Sequence, residues 1–479
     1  MTTDGDRIHH LIGRHSGTIF KVFAIAWAFQ ALEEKSDRLK FTPFGTLDGL
    51  SDFLVIAAAL AVVWRPDSMR RFGAFCFASI LNFLIEIPQV PNHLYAVALI
   101  NAGFLSHLAI DGGPGGREGS RHGQGVRERF GATVRVVTIL LYALAGFHKL
   151  NSGFMDLELS CAPHIYARIG SMLGGFPPLE GSARSVTIYG AVLTEFGIPA
   201  LLLARPTRKF GIGAGLLFHL FLGVRYPSFS TLAYALYVFF LPPALVSRWI
   251  EAGRRLPIVG SSSYWCVRIG VVGVALFLFL LHHFGNYRRH HLGWVLVFTV
   301  VVAAALVFLM RTRREDWRSP LPVGEPVFWP GWLVNGALVA LLLGNGFAPY
   351  IGFKTETAFA MYSNLRTERT SNHLVIPKGS LQIIDWQDDL VWIRAATVQP
   401  YKQYATDGVA LPLLELRRHL RDDVHAGVSG ISMVLEHRGE EHASSAMETD
   451  PVYAAPLDNL FQRKLTLFRP VHPRDRCVW

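Results

Sequence analysis

The chain has 479 residues, of which 51% are apolar and 12% aromatic, and it carries a formal net charge of +10. This composition excludes an ordinary soluble multidomain protein and points to one embedded in a membrane. The basic residues are neither clustered on a soluble domain nor interleaved with stacking aromatics, which excludes a nucleic-acid partner.

Several nearly uncharged segments match the roughly 20 helical residues needed to cross roughly 30 Å of hydrocarbon. Only helices satisfy their own backbone amides in lipid, so these runs of Leu, Ala, Val and Phe predict helices. Eleven spans are expected, beginning near residues 17, 47, 71, 92, 131, 185, 210, 229, 265, 292 and 328. The first follows a polar leader without a small-residue cleavage site and reads as an uncleaved span. Arginine and lysine fall in alternate connections: Arg70 and Arg71 after span 2, Arg127 and Arg129 after span 4, Arg205 and Lys209 after span 6. Arg254 and Arg255 after span 8 and Arg313 and Arg314 after span 10 continue the alternation. By the positive-inside rule these loops and the amino terminus are cytoplasmic, and an odd number of spans puts the carboxyl end outside. The expected setting is the cell (inner) membrane, with the lipid bilayer as first partner.

Between spans 4 and 5, GGPGGREGSRHGQG (Gly112 to Gly125) reads as a flexible polar linker. The stretch from Asn151 to Ser182, with GGFPPLEGS, is long enough for a lid or pocket wall and equally for a passive connector. After about Tyr350 the runs shorten. LQIIDW, LVWIRAATVQ and ISMVLEHRG alternate as strands do, and LPLLELRRHLR (Leu411 to Arg421) has helical spacing. The expected fold is a polytopic α-helical membrane protein of about 11 transmembrane helices over residues 1–350, followed by a β-rich extracytoplasmic domain over 351–479.

The four cysteines, Cys76, Cys161, Cys266 and Cys477, lack metal-finger spacing. Cys161 and Cys477 fall on one side in this topology, but nothing in their spacing pairs them, and a bridge is not expected. HHFGNYRRHH (His282 to His291) lacks ordered ligand spacing and flanking carboxylates, so it reads as a solvated loop and no metal is predicted.

The chemistry-bearing signal lies in LLYALAGFHKLNSGF, Leu140 to Phe154. An apolar run ends in His148 and Lys149 with no carboxylate within six residues. Asn92 and His93 begin span 4 at the same expected face, His219 lies in the outer half of span 7, and Glu195 lies near the middle of span 6. Placing charge in hydrocarbon costs about 3 kcal/mol or more, so such groups usually face a cavity or a partner. Each also has an inert reading: a snorkelling lysine, a capping histidine, a hydrogen-bonded core histidine. An amine between apolar walls loses hydration, which disfavours the ammonium and leaves a base.

AGFHKLNSGFMDLELSCA, Ala145 to Ala162, resembles the signature of the HTTM membrane domain, which vitamin K-dependent γ-glutamyl carboxylase shares with its bacterial relatives. The likeness continues, in order, through PNHLYA around His93, TEFGIPALLL around Glu195, FHLFLGVRYPSFS from Phe218 to Ser230, and MYSNLRTERTSNHLVIP from Met361 to Pro377. The resemblance implies that Lys149 deprotonates a reduced quinone of vitamin K or menaquinol type, with His93 assisting. It implies O2 and CO2 as co-substrates: oxygen adds to the quinol anion, the resulting base removes a γ-proton from a glutamate, and the carbanion captures CO2. An exported peptide or protein is the implied acceptor, and the activity would belong to the lyases or ligases. His148, Glu195, His219 and Asn92 are expected to shape the pocket or relay protons. The carboxylases carry two adjacent lysines where this chain has His148 and Lys149. A transporter or scaffold with an intramembrane proton path is the competing reading, and a membrane-anchored binding module is the third.

Overall fold

The computed structural model describes residues 4–38, 45–110, 121–254, 287–317, 331–475 and 477, with parts of 269–280. It is mostly helical. The bundle contains α1 (Asp4–Arg38), α2 (Leu47–Trp64), α3 (Met69–Glu86), α4 (Asn92–Ile110) and α5 (Arg121–His148). Two short helices follow, α6 (Ser152–Met155) and α7 (Cys161–Met172), and then α8 (Gly181–Leu203), α9 (Arg208–Gly223), α10 (Pro227–Tyr237), α11 (Pro243–Arg254), α12 (Tyr287–Arg311) and α13 (Gly331–Ile351).

Among the described residues six helices are long and apolar enough to cross a membrane: α2, α4, α8, α13, residues 123–148 of α5 and residues 290–311 of α12. This is fewer than the eleven expected. The helices starting near 17 and 71 form, but α1 carries Lys21 and, in its last turns, Glu33, Glu34 and Lys35, and α3 opens on Met69, Arg70 and Arg71. The segments near 210 and 229 give helices of 16 and 11 residues, too short to span. The latter meets the following helix at a bend of 105°, and the pair would make a seventh span if taken as one. The start of the span expected near 265 lies outside the described residues, as does the Gly112 to Gly125 linker up to position 120. Arg121 to Gly125 are not linker but the first turns of α5.

Helix α1 is nevertheless central to the bundle. Phe20, Phe23, Trp27 and Ala31 recur at three- and four-residue spacing and are buried, so this helix turns its apolar stripe to neighbouring helices rather than to lipid. Phe20 and Phe23 meet Phe72, Phe104, Phe130 and Phe239 in one aromatic cluster, with centroids 4.6 Å apart for Phe23 and Phe239 and 4.7 Å for Phe72 and Phe104.

The C-terminal region is less β-rich than expected. Its sheet is small, with four antiparallel strands in the order β2 (Ala410–Pro412), β1 (Leu390–Ala396), β3 (Met433–His437), β4 (Glu440–Ser444). The expected strands at LVWIRAATVQ and ISMVLEHRG form, whereas LQIIDW forms none. Its residues are irregular chain that returns to the end of α13, where the Ile383 and Ile384 amides donate to the Ile351 carbonyl. Gly352, at φ 85°, makes this turn, because a Cβ there would lie 1.8 Å from the Ile384 oxygen. Leu413–His425 forms the expected helix, whose Leu416 and Leu420 pack against Val391, Ile393 and Leu435 of the sheet. The region docks on the bundle through Lys464, which donates to the Ile85 carbonyl at 2.9 Å.

Contrary to expectation, Cys161 and Cys477 form a disulfide. The tail is carried to Cys161 by backbone pairing of Val471 with Ala410 and by Asp475, which accepts from Arg366 and Asn372. Sequence spacing held no trace of this, since 316 residues separate the two cysteines. Replacing both with serine is expected to lower stability by about 2–4 kcal/mol, read as a lower thermal midpoint that reductant reproduces in the parent protein.

Candidate functional site

The polar residues singled out in the sequence converge, with one exception, on a cavity of about 90 Å³ at the bundle end that carries the C-terminal region. That space, measured for the centre of a water molecule, is several times the roughly 10–15 Å³ that one water needs. Asn92, His93, Lys149, Glu195 and His219 line it together with Tyr142. Its remaining walls are almost wholly apolar, with Phe218 from α9, Phe229 and Leu236 from α10, and Phe359 and Met361 from above.

Lys149 follows the last turn of α5 and is 6% exposed. It is not the lone amine expected. Its Nζ donates to Glu195 Oε1 at 2.9 Å, to the Ala145 carbonyl at 3.5 Å and to the Met361 carbonyl at 3.4 Å. Three acceptors match the three N–H groups of an ammonium. Glu195 Oε2 lies 2.8 Å from the same nitrogen but out of hydrogen-bond alignment, and it has no other donor. The pair is thus an ion pair with one carboxylate oxygen left to accept a proton. Gly146 permits the helix approach that makes it, because a Cβ there would sit 3.1 Å from the Phe196 ring of α8. Pro199, four residues after Glu195, removes the amide that would bond the Glu195 carbonyl.

His93 faces the cavity, and its Nε2 pairs with Glu34 Oε2 of α1 at 2.9 Å. Also in the cavity lining, His219 Nε2 and the Tyr142 hydroxyl are 2.5 Å apart, and Tyr142 also meets the Tyr237 hydroxyl. Asn92 serves the roof, since its Oδ1 accepts the Phe359 amide at 2.7 Å. His148 is the exception. It is fully buried outside the cavity, its Nδ1 3.0 Å from the Tyr350 hydroxyl and its ring stacked on that tyrosine.

The roof is the irregular segment after α13. Thr357, Phe359, Tyr362 and Asn364 all have φ between 52° and 59°, where a side chain costs about 1–3 kcal/mol. Side-chain amides hold it there. Asn345 Nδ2 donates to the Thr357 carbonyl at 2.8 Å, and Asn151 Nδ2 donates both to His148 O, at 2.7 Å, and to Ser363 O, at 2.5 Å. Asn151 also caps α6 by accepting the Phe154 amide at 2.8 Å. The long stretch from Asn151 to Ser182 otherwise contributes no wall to the cavity.

Sequence reasoning missed Glu34, Tyr142, Tyr237, Asn151 and the roof. Tyr142 had a signal, being seven residues before Lys149 and so on the same face of α5. Glu34 lies in a charged run, Glu33 to Lys35, to which the sequence reading gave no role, and the roof gave no signal. Among the described residues no three His, Cys, Asp or Glu side chains cluster as metal ligands; His290 and His291 are buried, while His282 and His283 lie outside the described residues.

Beside the roof, Lys354 is 2% exposed, 3.1 Å from Thr357 Oγ1 and 4.0 Å from the Tyr95 ring centre. Burial pushes its ammonium down to about 7. Between pH ~7 and ~10 the unfolded chain therefore binds more protons here than the folded one, so this residue makes stability rise with pH. Lys354→Met is expected to stabilise by about 1–4 kcal/mol below that window, with the gain shrinking as pH rises through it, as thermal melts in acid and alkaline buffer would read.

Compared with known proteins, the chain matches no family model, no curated protein and no solved structure.

Proposed function

We propose that the cavity takes a reduced quinone from the lipid phase and that the Lys149–Glu195 pair removes its hydroxyl proton, in an enzyme similar to the vitamin K-dependent carboxylases. The observation that carries this reading is a buried Lys149–Glu195 ion pair lining an apolar, aromatic-walled cavity. A bound reduced quinone would supply an acidic hydroxyl and, with O2, a base strong enough to abstract a carbon-bound proton, with CO2 as the electrophile. The residues fit such a group. Phe218 and Phe229 offer flat apolar walls, and two polar pairs, Lys149 with Glu195 and Tyr142 with His219, line the cavity with them.

The protein's part is electrostatic and positional. Glu195 Oε2 accepts the proton while Lys149 stays an ammonium, so the pair changes from neutral to singly positive and faces the anion it has created. In a dry cavity that attraction is worth far more than in water. His93 lines the cavity with Nε2 committed to Glu34, which leaves Nδ1 as its nitrogen for the substrate's proton. Tyr142 and His219 line the same cavity, and the roof keeps water out. The same reading puts the cavity in the outer leaflet of the cell membrane, beneath an extracytoplasmic C-terminal region that would meet an exported peptide or small acceptor. The transport reading fits less well, because the phenylalanine cluster packs the bundle below the cavity where a polar path would have to continue.

Lys149→Ala is expected to abolish quinol-dependent oxygen uptake and, by leaving Glu195 buried alone, to cost about 3–5 kcal/mol of stability. Lys149→Met combined with Glu195→Leu should recover most of that stability and none of the uptake. Uptake that survives either change would refute the reading.

A further inference from the structure

Behind His93 lies a second, much smaller chamber of about 20 Å³. One water needs roughly 10–15 Å³ of such space and two to four polar partners. Gln30, Glu34, Lys35, Ser79 and Asn82 supply them among otherwise apolar walls. Glu34 belongs to both compartments, because its carboxylate holds the Nε2 of His93, whose ring lines the main cavity, while the same residue lines the chamber. On the chamber's far side Lys35 Nζ sits 2.8 Å from Asp52 Oδ1 and 2.8 Å from Glu86 Oε1. Asn82 Nδ2 lies 2.9 Å from the Asp52 carboxylate, 3.0 Å from that of Glu86 and 2.8 Å from Ser51 Oγ, which fixes the cluster. Four ionisable side chains of α1, α2 and α3 are thus buried in a row that starts at the cavity wall. The reading of Lys149 and Glu195 uses none of them.

We propose that Glu34 and this chamber form a proton conduit from the cavity to the Lys35–Asp52–Glu86 cluster. The proposal rests on the quinol reading above and says where its proton goes. A carboxylate at Nε2 requires that nitrogen to carry the hydrogen, so Nδ1 is the basic nitrogen of His93. The proton that Glu195 took from the quinol is handed across the cavity to Nδ1, which restores the Glu195 carboxylate; His93 then releases its Nε2 proton to Glu34 Oε2, and the ring ends neutral with its N–H moved from one nitrogen to the other. Glu34, now a carboxylic acid, passes its proton through one water in the chamber to Lys35, which lines the chamber and in the same step gives one of its own N–H protons to the Asp52 or Glu86 carboxylate. No bond to carbon changes and no oxidant or reductant is needed. Glu34 is a relay residue, acting on the cavity only through His93.

The test uses the full-length protein in lipid nanodiscs with reduced menadione as probe, measuring proton release with a pH dye, oxygen uptake, and menadione binding by tryptophan quenching. Glu34→Gln cannot take up the Nε2 proton as a carboxylate does, yet it keeps a hydrogen-bond acceptor for His93. Its expected signature is unchanged menadione binding with proton release slowed by on the order of tenfold to a hundredfold, a larger solvent deuterium effect, and partial recovery in Glu34→Asp. Asn82→Leu, which fills the chamber with hydrocarbon, should slow release in the same way without touching His93, and it stands in should Glu34→Gln fail to fold. Parental proton-release rates in a folded Glu34→Gln or Asn82→Leu protein overturn the conduit and leave the function intact. A parent protein that binds menadione but releases no proton on adding the reduced form overturns the function and the conduit together.

Discussion

The ion pair between Lys149 and Glu195 is the constraint around which the rest of the site is built. Removing two charges from water is expensive, and their attraction repays it only where geometry is close and every remaining donor is met. Here the ammonium finds its other acceptors in a carbonyl of its own helix and in one from the roof, so the pair forms only when α5, α8 and the C-terminal region are in place together. Small features serve that closeness. Gly146 lets Phe196 lie against α5, and Asn151 ends α5 while reaching across to the roof.

The roof carries a stored cost. Four non-glycine residues in left-handed backbone would relax in a free loop, and they persist because side-chain amides from α4, α13 and the turn after α5 over-determine their positions. Such strain has a use in a cavity that must exclude water, since every electrostatic interaction inside strengthens as water leaves. It also makes the C-terminal region a wall of the cavity rather than an appendage, and the disulfide from Cys161 to Cys477 closes the same side.

Polarity is distributed unevenly along the bundle. The Lys149, His93 and Lys35 groups gather toward the C-terminal region, whereas α1, α3, α4 and α5 meet further down through phenylalanine rings. The ion pairs thus cluster around the cavity, while the aromatic rings hold the helices together below it.

Read alone, the chain already declares itself largely helical, with segments long and apolar enough to cross a membrane, because runs of about 20 apolar residues have no other way to satisfy their amides in lipid. It also marked Lys149, His93, Glu195 and His219, since a titratable group in an apolar run stands out without reference to any neighbour. It overcounted spans, because hydropathy does not distinguish a segment facing lipid from one, such as α1, whose apolar stripe faces other helices. Which residue partners which emerges only once the helices pack. Lys149 and Glu195 are 46 residues apart, His93 and Glu34 are 59, and Cys161 and Cys477 are 316. Contacts over such separations follow from how helices pack and where the tail returns, and no local spacing encodes them. The outward orientation of His148 from the cavity had the same origin: adjacent helical residues point about 100° apart, so of two neighbouring polar side chains only one can face a given cavity.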